Sequence, residues 1–256
     1  TAIPALYNNK SAVKAADYDR DGDIDLLICG STVPGEYPKA ETSELLRNDT
    51  KDGQIKFTVV TNEVIPGLAS IGLISDAIFS DVDNDGDADI LVTGKWMGIH
   101  VFKNEKGRFV QQPTATDAVN GWWNSITAAD VDNDGDMDYV VGNFGTNGYY
   151  NGTKEQPVQV FANDYDGNQR WDLLLSTWKP ATMQSTMKAF PIAYRDQLAE
   201  EIPSIKKQFP QFAAYAKTDI DQLLKPFNRE GEIKLTATEF RSAWIENKGN
   251  FEFEDG

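Results

Sequence analysis

A nine-residue acidic stretch, repeated along the chain with little change, constrains the fold more than any other feature of this sequence. Residues 81–89 read DVDNDGDAD and residues 130–138 read DVDNDGDMD. An earlier copy at residues 17–25 reads DYDRDGDID, and a looser copy at residues 164–172 reads DYDGNQRWD. So many carboxylates in nine residues repel one another unless a cation lies among them, and hard oxygen ligands at alternate positions of a tight loop suit Ca²⁺.

The candidate metal ligands lie at five positions of each copy. Positions 1, 3, 5 and 9 carry oxygen side chains, and position 7 would supply its backbone carbonyl. The candidate ligands are Asp17, Asp19, Asp21, Asp23, Asp25; Asp81, Asp83, Asp85, Asp87, Asp89; Asp130, Asp132, Asp134, Asp136, Asp138; and Asp164, Asp166, Asn168, Arg170, Asp172. Glycine at position 6 of the first three loops predicts a positive φ there, whereas the fourth loop has Gln169. The alternative is four acidic turns that are solvated and hold no metal.

The residues after each loop exclude the EF-hand. An EF-hand requires Glu at position 12 and a following helix. Position 12 is apolar in all four copies, as Ile28, Val92, Val141 and Leu175. Short apolar runs bounded by Gly or polar residues lie on both sides of each loop and predict β-strands. The repeating unit is therefore strand, metal loop, strand.

Three further segments predict β-hairpins with Gly in the turn, each completing the outer half of a four-stranded sheet. They begin at Leu45-Leu46-Arg47-Asn48, Val101-Phe102-Lys103-Asn104 and Trp244-Ile245-Glu246-Asn247. The third unit is short and shows no outer hairpin of its own. The spacing of the loops is uneven but close to the size of a four-stranded propeller blade.

The segment from 190 to 231 breaks this pattern and predicts a small helical insertion. Prolines punctuate it, and apolar residues recur between them at steps of three or four. Thr218 followed by Asp221 predicts a helix N-terminus. The expected organisation is propeller blades with Ca²⁺ loops over residues 1–189, a helical insertion within the last blade over 190–231, and the closing hairpin of that blade over 232–256. The insertion either packs against the propeller rim or docks a partner.

The charge balance excludes two classes of partner. The formal net charge is −16, from 40 acidic and 24 basic residues, and four bound Ca²⁺ ions would offset half of it. No basic stripe is available for nucleic acid or for an anionic membrane surface. No stretch is long and apolar enough to span a membrane, although an N-terminal segment preceding Thr1 would be compatible with a membrane anchor.

No catalytic set is evident, so we expect a protein that is not an enzyme. His100 is the only histidine and lies in a predicted strand, and Cys29 is the only cysteine. Zinc sites with several His or Cys ligands are therefore excluded, and no glycine-rich phosphate loop is present. Trp122 and Trp123 precede the third loop and either pack between blades or stack on sugar rings, with at most one of them free because adjacent strand residues point to opposite faces.

The loops and their flanks resemble a known repeat family. DYDRDGDIDLLICG, DVDNDGDADILVTG and DVDNDGDMDYVVGN are similar to the FG-GAP/VCBS repeats of integrin-α-type β-propellers. GWWNSITAADVDNDGD, VVGNFGTNGYY and VFANDYDGN resemble the VCBS-repeat proteins of the ASPIC/UnbV type, common in Bacteroidetes. The resemblance implies an all-β, seven-bladed propeller with Ca²⁺ between the first two strands of certain blades. The chain shows about four blades, so we expect either a fragment, which we favour, or a sheet left open or closed by a partner.

Two functions remain open at this point. The first is a non-catalytic, calcium-binding interaction module that binds a protein partner. The second is a carbohydrate-binding or glycan-processing accessory protein of a bacterial surface complex. Weak, millimolar-range Ca²⁺ loops work best where the ion is abundant, so we expect an extracytoplasmic protein that is secreted or associated with the cell surface or outer membrane.

Overall fold

The computed structural model describes residues 2–181 and 186–255, which form β-sheets and a few short helices. The strands are β1 (Lys10–Ala16), β2 (Asp25–Gly30), β3 (Glu44–Asn48), β4 (Phe57–Val59), β5 (Leu73–Ser80), β6 (Asp89–Met97), β7 (His100–Asn104), β8 (Phe109–Gln112), β9 (Gly121–Trp122), β10 (Ser125–Ala129), β11 (Asp138–Gly142), β12 (Val158–Asn163), β13 (Asp172–Pro180), β14 (Met187–Pro191), β15 (Ile233–Ala237), β16 (Ala243–Asn247) and β17 (Phe253–Asp255). The helices are α1 (Thr61–Val64), α2 (Arg195–Glu201), α3 (Ser204–Gln208), α4 (Phe212–Ala216) and α5 (Ile220–Leu224), with 3₁₀ turns at Leu68–Ser70 and Ala115–Ala118. The expected all-β class is confirmed.

The chain divides into two compact units. The first comprises the residues up to 33, residues 39–145 and the residues from 240 onward, and the second comprises residues 34–38 and 146–239. The first unit contains three antiparallel sheets, ordered β1-β2-β3-β4, β5-β6-β7-β8 with β9 beside β6, and β10-β11-β16-β17. In each sheet an acidic loop joins the first two strands, as the sequence predicts. A closed, seven-bladed propeller stays a prediction.

The first strands of the three sheets lie side by side, with β5 between β1 and β10. Asp76 on β5 joins both neighbours, because its carboxylate lies 2.8 Å from the Lys14 ammonium and accepts a hydrogen bond of 3.1 Å from the backbone N–H of Ile126. Ser11 adds a bond from its hydroxyl to the carbonyl oxygen of Ile74 at 2.6 Å. Asp76 thus connects β5 to the first strand of each neighbouring sheet.

Apolar side chains fill the space between neighbouring sheets. Along β6, Ile90 and Val92 pack into the core shared with the first sheet, while Leu91 packs into the core shared with the third sheet. This follows from the two-residue period of a strand, and it explains why β6 is a continuous apolar run rather than an alternating one. Cys29 belongs to the first of these cores, is completely buried, and has a thiol pKa that burial raises to about 12.

The hairpin β16–β17 belongs to the third sheet, which differs from the assignment of residues 232–256 to the last blade. Tyr139 on β11 pairs with Ile245 on β16, so the sheet that contains the third acidic loop does have an outer hairpin. In the fourth sheet, ordered β14-β13-β12-β15, the corresponding edge of β13 pairs with β14, and β15 pairs with the first strand β12 instead. Residues 146–239 are therefore inserted between two adjacent strands of the third sheet.

The second unit contains this fourth sheet and helices α2 to α5, which follow β14 and precede β15. Leu198, Ile202 and Leu223 from the helical segment pack with Phe161 and Leu174 from the sheet. The apolar residues that predicted the helices thus bury against the sheet, which favours the packing role of the insertion. None of the helices in the described residues is long and apolar enough to cross a membrane.

The N-cap of α5 is Asp219 rather than the predicted Thr218. The Asp219 carboxylate accepts a hydrogen bond of 2.9 Å from the backbone N–H of Gln222, whose side chain returns a bond to the Asp219 backbone. Thr218 instead donates its hydroxyl to the carbonyl oxygen of Ala214 at 2.9 Å. A carboxylate satisfies a free helix N–H at least as well as a hydroxyl does, and it also interacts favourably with the helix dipole.

Two buried asparagines link one sheet of the first unit to the next. Asn104, at the end of β7, donates from its side chain to the carbonyl oxygen of Tyr18 in the first loop at 2.8 Å. Asn247, at the end of β16, donates to the carbonyl oxygen of Val82 in the second loop at 2.9 Å. Both asparagines are completely buried. The third strands of the second and third sheets therefore each hold the acidic loop of the preceding sheet.

We predict that Asn104→Ala destabilises the protein by about 2–4 kcal/mol, because it removes three bonds and leaves buried backbone groups without partners. Besides the bond to Tyr18, the Asn104 side chain donates to Ala88 at 3.0 Å and accepts from the Gly107 N–H at 2.7 Å. Urea denaturation followed by fluorescence measures the change. Asn151→Ala, at an exposed position, is the matched control and should change stability by less than about 0.5 kcal/mol. Equal losses in both variants would contradict the proposed link.

Candidate metal-binding loops

The four acidic loops follow the same backbone path. Position 4 has a positive φ in all of them, at Arg20 (61°), Asn84 (57°), Asn133 (62°) and Gly167 (77°). Position 6 does as well, at Gly22 (95°), Gly86 (89°), Gly135 (102°) and Gln169 (66°). The positive φ expected at position 6 is therefore present in all four loops. In the fourth loop, position 6 is Gln169 and the glycine lies at position 4.

Side-chain oxygens at position 5 of all four loops, and at position 1 of three of them, accept hydrogen bonds from the backbone of the same turn. In the second loop, the two oxygens of Asp81 accept hydrogen bonds from the backbone N–H groups of Asp85 at 3.1 Å and Gly86 at 2.8 Å. Asp85 accepts from the N–H of Asp87 at 2.9 Å. Equivalent bonds to position 1 are present in the first and fourth loops, and equivalent bonds to position 5 in all loops. Such bonds satisfy the N–H groups of a tight turn and aim the remaining oxygens inward.

The aspartate at position 9 is the most buried residue of each loop. Asp25, Asp89 and Asp138 are completely buried, and Asp172 is 2% exposed. One oxygen of Asp89 accepts from the Val82 N–H at 2.9 Å, and the other accepts from the Asn104 N–H at 2.7 Å. Asp25 and Asp138 make the same pair of contacts, the second to Asn48 and Asn247. Position 9 therefore joins the start of its loop to the third strand of its sheet.

Burial makes the charge at position 9 costly. Desolvation raises the pKa of Asp25, Asp89 and Asp172 to about 6 each, although the backbone N–H donors partly oppose the shift and neighbouring loop carboxylates add to it. A buried carboxylate with that pKa is mostly ionised at neutral pH. A nearby cation would stabilise it, since opposite charge favours the ionised form.

The structure brings three carboxylates of each loop within 4.8 Å of one another: Asp17, Asp19 and Asp25; Asp81, Asp83 and Asp85; Asp130, Asp132 and Asp138; Asp164, Asp166 and Asp172. The remaining candidates at positions 5 and 9, Asp21, Asp89, Asp134 and Asn168, adjoin these groups in the same loops. This donor set consists of oxygen atoms alone, which fits a hard cation such as Ca²⁺.

Three oxygens in these groups are buried and lack a hydrogen-bond partner among the described residues. They are Asp19 Oδ1, Asp83 Oδ1 and Asp130 Oδ1. A buried carboxylate oxygen without a partner costs free energy, and nearly all such atoms in folded proteins are satisfied by a hydrogen bond, water or an ion. The first three loops thus fit a bound cation better than they fit solvated acidic turns.

The position-7 side chains of the second and third loops, Asp87 and Asp136, each contact the loop before their own. The Arg20 guanidinium of the first loop lies 3.0 Å from the Asp87 carboxylate of the second loop. Asn84 of the second loop donates to Asp136 of the third loop at 2.5 Å. The position-7 residues Asp23, Asp87, Asp136 and Arg170 therefore stay ligand candidates through their backbone carbonyls. The link between position 4 of one loop and position 7 of the next was not predicted from the sequence.

Charged residues from the third strand also lie beside the loops. The Lys103 ammonium of β7 pairs with the Asp83 carboxylate and lies 3.1 Å from Asp85. Glu246, at the equivalent place on β16, lies beside Asp132 of the third loop. These contacts are hard to predict from the sequence. The only indication is that Arg47, Lys103 and Glu246 occupy the same position when the three hairpin segments are aligned.

The aromatic and histidine candidates have structural surroundings. Trp123 is 1% exposed, and its indole N–H donates to the carbonyl oxygen of Val119 at 3.2 Å. Trp122 is half-buried and lies edge-on to three rings, Trp96 at 4.9 Å, Phe144 at 5.0 Å and Phe240 at 5.3 Å. His100 pairs with Asp117, whose other oxygen accepts from the Thr114 N–H at 2.8 Å. These contacts favour packing for both tryptophans.

We predict that Asp89→Asn destabilises the protein by about 1–3 kcal/mol even in the presence of chelator, because an amide cannot accept from both N–H groups. Chemical denaturation in excess chelator measures this effect separately from metal binding. Asp166→Asn, at an exposed loop position of the second unit, is the control and should leave the stability of the chelated protein close to that of the wild type. A variant Asp89→Asn as stable as the wild type would show that position 9 has no structural role of its own.

Comparisons with known proteins agree with the repeat pattern of the sequence. Residues 81–141 match the family model of the FG-GAP-like repeat. The match covers the second acidic loop, strands β6 to β10, the third acidic loop and most of β11. A search of curated proteins gave no match. The chain therefore carries an FG-GAP-like repeat, and its resemblance to FG-GAP-repeat proteins is confirmed over these residues.

Proposed function

We propose that this protein is a non-catalytic, calcium-binding module of the β-propeller type that binds a protein partner at the cell surface or outside the cell. The observation that carries the metal part of the proposal is the group of buried, unpartnered oxygens Asp19 Oδ1, Asp83 Oδ1 and Asp130 Oδ1. Each belongs to a loop of oxygen donors whose turn is already shaped by internal hydrogen bonds. An FG-GAP-like repeat supports the interaction part, because this repeat builds β-propeller-like interaction modules.

The metal would act on structure rather than on a substrate. The loops join the first two strands of each sheet, and their position-9 aspartates reach the third strand. A cation held by positions 1, 3, 5 and 9 would therefore neutralise the loop and fix three strands at one end of the sheet. Loops that bind weakly need the millimolar Ca²⁺ found outside cells, which supports the extracytoplasmic location.

Trp122 and Trp123 gave the glycan alternative its only residue-level support. Trp123 is buried, and Trp122 packs edge-on against three aromatic rings of its own unit. These contacts support a packing role for both side chains rather than stacking on a sugar. A protein partner is therefore the better proposal.

We predict that Ca²⁺ raises the melting temperature of the chelated protein. A ligand that binds only the folded state stabilises it by about 2.7 kcal/mol per site at one hundred times its Kd. Differential scanning calorimetry in Ca²⁺ and in excess chelator measures the shift. The double variant Asp132→Ala, Asp134→Ala should lose part of it, while Glu105→Ala, Glu200→Ala, which changes the net charge equally at exposed positions, should keep all of it. Identical melting in Ca²⁺ and chelator would refute calcium binding.

The partner is tested by affinity capture from cell-envelope material of the source organism in Ca²⁺ and again in chelator. Mass spectrometry of the retained proteins should give a set that appears only with Ca²⁺. The same capture with Asp132→Ala, Asp134→Ala controls for non-specific retention by an acidic protein. Retention of nothing in either condition, together with binding to a polysaccharide panel, would overturn the protein-partner proposal in favour of glycans.

A further inference from the structure

We propose that the residue before the asparagine on the third strand sets the Ca²⁺ affinity of each loop in the first unit, and that Lys103 makes the second loop the weakest of the three. This inference rests on the proposed calcium function. The three residues occupy one structural position, since Arg47, Lys103 and Glu246 each precede the asparagine whose N–H binds a position-9 aspartate. Their charges differ, so the loops receive different electrostatic environments.

In the second loop, an ammonium lies against two candidate ligands. Lys103 pairs with Asp83 and lies 3.1 Å from Asp85, and its ammonium lies over the Phe251 ring with Nζ 5.5 Å from the ring centre. The Asp83 side chain is only 9% exposed, and its Oδ1 atom has no partner among the described residues. A divalent cation entering here must either displace the lysine or bind with a positive charge a few ångströms away.

In the first loop, the equivalent cation is paired with a carboxylate outside the loop. The Arg47 Nε donates to Asp49 at 2.8 Å, and Asp49 also accepts from the Thr58 hydroxyl. The guanidinium is thus neutralised by a carboxylate outside the loop. Among the residues that the structure describes, Lys103 pairs only with carboxylates of the loop itself, although Glu105 occupies the place that Asp49 has in the first sheet.

In the third loop, the charge at this place is reversed. The Glu246 carboxylate lies beside Asp132 and pairs with the Lys248 ammonium. Neighbouring negative charges repel one another, so a divalent cation beside both carboxylates would be favoured. Glu246 therefore adds a fifth carboxylate to a loop that already has four at positions 1, 3, 5 and 9. The expected order of affinity is third loop, first loop, second loop.

The ammonium also has a role when Ca²⁺ is absent. It neutralises part of the charge on Asp83 and Asp85, which lie in the same tight turn. The second loop is flanked by the first and third, to which it is joined by Arg20–Asp87 and Asn84–Asp136. The Lys103 ammonium would keep the second loop ordered when no Ca²⁺ is bound. Because this loop lies between the other two, its order would help to preserve the folded first unit at low Ca²⁺.

We predict that Lys103→Met tightens the weakest calcium-binding step by about tenfold, the effect expected when a unit charge several ångströms from a divalent ion is removed in water. Isothermal titration of the chelator-treated protein with CaCl₂ measures it. Lys95→Met is the matched control, because Lys95 is exposed on β6 and its removal changes the net charge equally. The tightened step should disappear when Asp85→Ala is added to Lys103→Met. The Lys103→Met variant should also melt at a lower temperature than the wild type in excess chelator.

The third loop gives an independent measurement. Glu246→Gln should weaken the tightest step by several-fold and leave the weakest step unchanged. Calcium binding that both Lys103→Met and Glu246→Gln leave unchanged would overturn this inference while leaving the proposed function intact. No calcium binding by the wild type or any variant would overturn the proposed function and this inference together.

Discussion

The buried aspartate at position 9 is the contact on which the rest of the first unit depends. It accepts one backbone N–H from its own loop and one from the third strand, where the strand ends at an asparagine. That asparagine then binds the loop of the preceding sheet. A carboxylate is needed here because only an ionised acceptor with two oxygens satisfies two N–H groups in a buried place. The first three loops are thus part of the contacts between sheets as well as candidate metal sites.

This arrangement explains why the acidic loops tolerate variation at some positions and not at others. Position 9 is aspartate in all four copies, because its side chain is a structural acceptor. Position 7 differs between aspartate and arginine, because its side chain lies outside the group of ligands. Position 4 is Arg, Asn or Gly, since the chain needs a positive φ there and the side chain is free to contact the next loop.

Local features of the fold could be predicted from the sequence, while pairings between distant segments could not. The loops, their flanking strands and the outer hairpins each depend on a dozen or so consecutive residues, and all of them are present. The partner of the hairpin β16–β17 could not be predicted, because the bond between Asn247 and Asp138 crosses an inserted unit. The burial pattern of this hairpin would suit either the third or the fourth sheet. Its partner is decided by which strand edge it pairs with, and that edge belongs to β11, whereas β15 pairs with β12 in the fourth sheet.

The asparagine links show what signal was available. Asn48, Asn104 and Asn247 each end a predicted strand just before a turn, a place where asparagine is expected for reasons of turn geometry alone. For Asn104 and Asn247, this ordinary local explanation hides a contact with the acidic loop of the preceding sheet. The role of the charged residue before each asparagine is equally hard to recognise from the sequence, because Arg, Lys and Glu at a strand edge are usually solvated. Only the packing of one sheet on the next makes this edge position a neighbour of the candidate metal ligands. Under the proposed calcium function, three residues at one structural position would then give three similar loops different affinities.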